Sequence, residues 1–175
     1  MTRYNTRRNK LRRELKRAGM DSILITNFTN VTYLTGFTGD DSYLLITPTD
    51  EVMVSDSRYS QQLEEECPGL DVVIRTSAMP MMASLAKLTK KTGVRKMALE
   101  SQSLTLSLFD QLEATLAGVT LSRSSGLVEG LREIKDAHEI QEIRNAIDLA
   151  QRTFAVIRAS LRPEQTEKEV AYAIE

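Results

Sequence analysis

The stretch Tyr43–Asp56, YLLITPTDEVMVSD, decides the fold. Two apolar runs, Tyr43–Thr47 and Val52–Asp56, flank TPTDE, whose Pro48 and Asp50 suit a tight turn. The pair predicts a β-hairpin. Upstream, Ser22–Thr26 (SILIT) is a short apolar run of the kind buried on both faces of a sheet. Between them, Asn27–Asp41 is rich in Thr, Asn and Gly and reads as largely loop. Downstream, strands at Val72–Thr76, Lys96–Glu100 and Thr120–Ser124 alternate with helices. Ser57 caps one helix through Glu66, ended by Pro68-Gly69; Met79–Thr92 is closed by Gly93, and Leu104–Ala117 by Gly118. Six short strands in this alternation predict an α/β fold: a six-stranded mixed sheet flanked by helices, largely parallel apart from the hairpin.

Ahead of the first strand, Thr6–Ala18 is a helix with Leu11, Leu15 and Ala18 on one face and Gly19 as its cap. Seven basic residues on it (Arg7, Arg8, Lys10, Arg12, Arg13, Lys16 and Arg17) stand against one acid, Glu14. A nucleic-acid patch would want aromatics to stack on bases, and only Tyr4 is near, so the outer face of a helix docked by its leucines is the better reading. Met79, Met81 and Met82 read as a docking face.

At the other end, Gly130–Leu161 is GLREIKDAHEIQEIRNAIDLAQRTFAVIRASL. Ile140, Ile143, Ile147, Ala150, Phe154, Ile157 and Leu161 recur in steps of three and four along one helical face. Asp136 and Glu139 form a capping box, and Thr166 with Glu169 forms another, opening a helix with no stop signal before Glu175. The expected division is a domain over 1–130 followed, over 131–175, by a joint and the start of a second domain, cut short. Left uncovered, the apolar stripe is expected to make the chain self-associate.

The 175 residues are 41% apolar and 27% charged with a net charge of -1, which suits a globular core and no general attraction to nucleic acid or membrane. No run approaches the roughly 18 apolar residues of a spanning helix. A single cysteine, Cys67, excludes an intrachain disulfide framework and points to a reducing, cytoplasmic setting. A Ser-His-Asp triad, a Cys-His dyad or a histidine-rich metal site would each have to use the one histidine, His138, which reads as exposed and solvated in a charged helical turn; no complete catalytic constellation is found, and the common nucleotide fingerprints are missing. Neither a catalytic nor a metal-ligating residue is assigned.

Three motifs in order, NVTYLTGF (Asn30–Phe37), SDSRYSQQ (Ser55–Gln62) and LREIKDAHEIQEIRNA (Leu131–Ala146), resemble the N-terminal domain of the creatinase and prolidase family. The resemblance runs from Arg7 to Glu175, with Arg132, Ile134, Lys135, Glu139 and Ile140 matching the family's interdomain joint. It implies a six-stranded mixed sheet leading into the first helices of a pita-bread catalytic domain. For the parent protein it implies a hydrolase, a metal-dependent Xaa-Pro dipeptidase or aminopeptidase acting on short proline-containing peptides as a homo-oligomer. Two divalent metal ions, manganese in many members, would activate a water there. The family's ligands, two Asp, one His and two Glu, would lie past Glu175, so this stretch alone would hold no cofactor and be inactive.

In the family, the loop after the Gly-Phe pair lies near the mouth of a catalytic pocket, often a neighbouring subunit's. Here that loop is FTGDDS, Phe37–Ser42. The resemblance makes Phe37, Asp40, Asp41 and Arg58 candidate substrate-binding residues, with Asp40 or Asp41 holding the amino terminus of a peptide and Arg58 available for a carboxylate. Creatinases present an aromatic and an arginine from this region, so the acidic loop favours a peptidase over an amidinohydrolase. The alternatives are a peptidase-like protein-interaction module without catalysis and a stand-alone α/β binding domain.

Overall fold

The computed structural model describes residues 2–174, and they form two compact units that divide between Glu133 and Ile134. In the first, strands β1 (Ser22–Ile25), β2 (Tyr43–Ile46), β3 (Glu51–Ser55), β4 (Asp71–Ile74), β5 (Lys96–Glu100) and β6 (Thr120–Ser124) form one sheet in the order β4-β3-β2-β1-β5-β6. Five strands run parallel and β2 alone is reversed, pairing antiparallel with both β1 and β3. The hairpin turn is closed by Thr47, whose N–H donates to the Asp50 carbonyl and whose hydroxyl meets the Asp50 carboxylate.

Alternation along the strands builds two cores. Ile23, Ile25, Leu44, Ile46 and Met53 face Leu11 and Leu15 of α1 (Arg3–Arg17), Val31 and Leu34 of α2 (Phe28–Thr35), and Leu63 of α3 (Ser60–Glu66). Leu24, Leu45, Val54, Met97 and Leu99 face Met81, Leu85 and Leu88 of α4 (Met81–Thr92) and Leu112 of α5 (Leu106–Thr115). The sheet is therefore sandwiched between two helical layers, and truncating any of these fully buried leucines to Ala should cost about 2–5 kcal/mol. Met81 and Met82 serve as docking residues, whereas Met79, also expected on that face, lies in the turn with Thr76 ahead of α4 and in neither core.

Two local expectations change. Asn27–Asp41 is not largely loop: it holds α2, capped by the Asn27 side chain and ended by Gly36 in the left-handed region at φ 89°. Gly36 also has the Tyr4 ring where a Cβ would sit. The helix after β3 begins not at a Ser57 cap but with a 3-10 turn, Ser57–Tyr59, capped by Asp56, before α3 proper. Its C-cap, Cys67, is buried with Sγ 3.6 Å from the Thr35 carbonyl.

The basic helix turns three arginines inward. Arg8 donates to the Leu34 carbonyl at 2.7 Å and pairs with Glu51, Arg12 reaches Glu51 at 2.6 Å and the Thr47 carbonyl at 2.8 Å, and Arg7 lies over the Tyr33 ring while donating to the Tyr33 carbonyl. These charges tie α1 to α2 and the hairpin and are spent inside the fold.

The first unit closes with α6 (Glu129–Glu133). The second holds α7 (Ala137–Ser160) and α8 (Glu167–Ile174). The Asp136–Glu139 capping box is formed in both directions at 2.9 Å, and Thr166 and Glu169 make the second. Continuation of α8 at Glu175 lies outside the described residues. Along α7 the apolar stripe is largely exposed, with Ile143 at 46% and Phe154 at 65%.

Candidate functional site

Because β2 alone is reversed, the carboxyl ends of β1, β3, β4, β5 and β6 and the entry to β2 share one end of the sheet. Open α/β sheets bind ligands at that end. Here four of the six strand ends deliver a charged residue: Asp41 just before β2, Asp56 after β3, Arg75 after β4 and Glu100 closing β5. They form two clusters.

The first brings Asp41 and Arg58 together with Asp56 and Arg75. Arg58 Nη2 lies 3.1 Å from Asp41 Oδ2, and Arg75 pairs closely with the same oxygen. Asp56 accepts from the Arg58 backbone N–H at 3.0 Å and from its Nε at 2.8 Å, while Arg75 stands 3.2 Å from the other Asp56 oxygen. These Arg58 bonds, backbone first, hold the Asp56 carboxyl down to about 2 from its ordinary 3.8. The reciprocal contact with Asp56 raises Arg58 further above its usual range. Next door, burial, and then the Asp41 charge, push the Tyr43 phenol up. A shallow open groove continues past Arg75, lined by Tyr43, Met81, Leu108 and Gln111.

The loop itself is built on buried parts. Phe37 is fully buried and packs edge-on to Tyr59, ring centroids 5.6 Å apart at 88°. It supports the loop from beneath and presents no surface. Thr38 is tied to Glu66 through its N–H and hydroxyl, each at 2.7 Å, which holds the Glu66 carboxyl low against the opposing effect of burial. Asp41 is the one described non-glycine residue with positive φ, at 54°. Its N–H is accepted by Asp40 Oδ1 at 2.7 Å, and Ser42 Oγ bonds the Asp40 carbonyl and shares a hydrogen with Ser55. Asp40 is exposed, while Asp41 is engaged by two guanidinium groups.

The second cluster was not visible from sequence. At β1 and β5, where the direction of strand addition reverses, Glu100 is buried. Its Oε2 accepts the backbone N–H groups of Thr26 and Asn27 at 2.7 and 2.9 Å, and its Oε1 accepts from Asn30 Nδ2 at 2.6 Å. The same Asn30 nitrogen donates to Glu129 Oε1 at 2.6 Å, and Asn30 Oδ1 accepts from Arg132 Nη1 at 3.0 Å. Burial raises the Glu100 carboxyl; its hydrogen bonds oppose this and the Glu129 charge adds to it. Two of the sequence motifs thus meet through Asn30 and Arg132. The available signal was a charged residue ending a short apolar run, in KMALE, VMVSD and VVIR alike.

Neither cluster fits a divalent metal. The Asp41 and Asp56 charges are met by Arg58 and Arg75, and the Glu100 oxygens are occupied by N–H donors. Among the described residues no group of three His, Cys, Asp or Glu is placed to hold an ion. No helix among them is long and apolar enough to cross a membrane.

A family profile described as the Creatinase/Prolidase N-terminal domain matches residues 7–134, and the chain belongs to that family. Its fold is that of an Xaa-Pro dipeptidase from Bacillus anthracis, with 30% identity and a TM-score of 0.91 over 98% of this chain and 48% of that one. The N-terminal domain of the cytoplasmic peptidase PepQ from Mycobacterium tuberculosis H37Rv is 36% identical, covering 72% of this chain and 98% of that domain at a TM-score of 0.66. Among curated proteins, the uncharacterized peptidase YqhT of Bacillus subtilis (strain 168) is 28% identical over 166 residues, 95% of this chain and 46% of the relative. The chain spans about half the length of the full-length relatives it matches.

Proposed function

We propose that this chain is the non-catalytic N-terminal part of a metal-dependent Xaa-Pro peptidase, and that residues 131–175 are the joint and opening helices of its catalytic domain. The observation that carries the reading is continuity: the likeness to the Bacillus anthracis dipeptidase extends over 98% of this chain, through both units. The catalytic half would hold the two divalent ions, with manganese the first to test, and act on short proline-containing peptides in the cytoplasm as a homo-oligomer. The cytoplasmic assignment leans on the relative described as a cytoplasmic peptidase.

The contribution of this part is the rim of the substrate pocket. Exposed Asp40 would receive a peptide's amino terminus, on a loop braced by the Asp41–Arg58–Arg75 pairs and by Phe37 underneath. Arg58 and Arg75 are both drawn into pairs with Asp41 and Asp56, which favours a peptidase over an amidinohydrolase that would turn such an arginine to the carboxylate of creatine.

The test is the full-length gene product assayed on Xaa-Pro dipeptides and tripeptides with and without manganese. Metal-dependent cleavage is expected, with Asp40→Asn raising KM for peptides with a free amino terminus. A parent sequence lacking the Asp, Asp, His, Glu, Glu set past Glu175, and no hydrolysis with any divalent ion, would leave the interaction-module reading in its place.

A further inference from the structure

We infer that the ligand end of this sheet is self-occupied: Glu100 is a built-in anion at the switch point between β1 and β5, and Asn30 passes its hold on to α6. A ligand bound in an open α/β sheet sits outside the carboxyl ends of the strands where their order reverses, with its negative group on backbone N–H groups at a helix start. Glu100 satisfies each condition from within the chain. Its carboxylate lies at the β1/β5 reversal and takes the N–H groups of Thr26 and Asn27, the residues that lead into α2.

Asn30 makes this more than a local cap. The side chain is fully buried, and its amide faces Glu100 and Glu129 with nitrogen and Arg132 with oxygen. Glu129 and Arg132 are three apart, on one face of α6. One turn along α2, the Tyr33 hydroxyl bonds the Leu131 carbonyl at 3.0 Å. A five-residue helix has too few internal bonds to persist alone. Without the polar clamp, what would hold α6 is the burial of Val128 with Leu127 and Leu131 packed on the core. The two explanations predict different outcomes. This assignment is independent of any peptidase activity.

Hydrogen exchange on the 175-residue chain separates them. The amides of Gly130 and Arg132 are bonded to the Gly126 and Val128 carbonyls. Glu129→Ala and Arg132→Ala should each speed exchange at these amides by about tenfold or more, the loss expected for a charge-assisted bond, with β1 and β2 unchanged. Unchanged exchange in both variants overturns the clamp and leaves apolar packing as the anchor. For the built-in anion, Glu100→Ala should recover stability in sodium formate relative to sodium chloride at equal ionic strength, while the unsubstituted chain responds equally to both. An equal response from the variant, or a variant that stays unfolded in formate, overturns it.

Discussion

Gly39 stands where the candidate rim loop crosses its own support, and replacing it with alanine should destabilise the first unit. A Cβ at Gly39 would lie 2.4 Å from Phe37 Cζ and 2.9 Å from Tyr59 Cδ1. Such contacts must be relieved, and the ring cannot simply swing aside, because Phe37 is fully buried and wedged edge-on against Tyr59. Overpacking of this kind costs about 1–3 kcal/mol. Gly39 is not among the positive-φ glycines, so alanine carries no backbone strain and stiffens the unfolded chain, a gain of about 0.4–1 kcal/mol. The two effects oppose each other and leave a net loss of about 1–2 kcal/mol, a fall in Tm of roughly 2–8 °C for a chain of this size. Urea unfolding followed by tyrosine fluorescence reads it. Adding Phe37→Leu opens the space the methyl needs, so the double variant should lose at least about 0.5 kcal/mol less than the sum of the singles. A Gly39→Ala chain as stable as the parent, or strict additivity, would refute the steric argument.

Arg8→Ala should cost about 1.5–3 kcal/mol in urea, because it removes a charge-assisted bond to the buried Leu34 carbonyl and one of the two guanidinium groups on Glu51, leaving Arg12 as the other, whereas exposed Arg13→Ala should stay within about 0.5 kcal/mol; equal effects would mean the inward arginines are not structural. With the Asp56 pKa depressed to about 2 from 3.8, its contribution to stability is complete above 3.8 and lost as pH falls through 2. The stability gap between the parent and Asp56→Asn should therefore close over that window, and a gap that stays constant contradicts the bonds to Arg58. Glu100 runs the other way: its raised pKa makes its titration favour folding below its ordinary 4.5 and disfavour it as pH rises through the folded value. An NMR midpoint at or below 4.5 would be inconsistent with its burial. Through the exposed α7 stripe the chain should sediment as a dimer at tens of micromolar and as a monomer when Ile147→Glu interrupts the stripe; a monomeric parent chain refutes this.

The hairpin and the later strands were legible because apolar runs end at strong turn signals, Pro48 with Asp50 and the glycines after the helices. What escaped was α2. Its residues FTNVTYLT are poor helix formers, and its start is stabilised by Glu100, more than seventy positions away. No local window contains that partner. Within the candidate site, Asp40, Asp41 and Arg58 lie in motifs that announce a loop and a turn. Asp56 shares the SDSRYSQQ motif with Arg58, and only Arg75 joins them through tertiary structure, because β3 and β4 are parallel and in register, Ser55 opposite Ile74. Likewise Phe37 reads as a surface aromatic in FTGDDS, and its burial follows from Gly39 letting the chain pass over the ring.

Cys67 turns the chain into its own reporter. It is the only thiol in 175 residues, it is buried where α3 meets the Thr35 carbonyl, and burial raises its pKa, so the reactive thiolate is doubly suppressed in the closed state. A disulfide reagent in excess would therefore be consumed at the rate at which α3 lifts away from α2. The loop that carries Asp40 is tied to that helix through Thr38 and Glu66. One colour change would then time the opening of the candidate rim, without a label or a substitution.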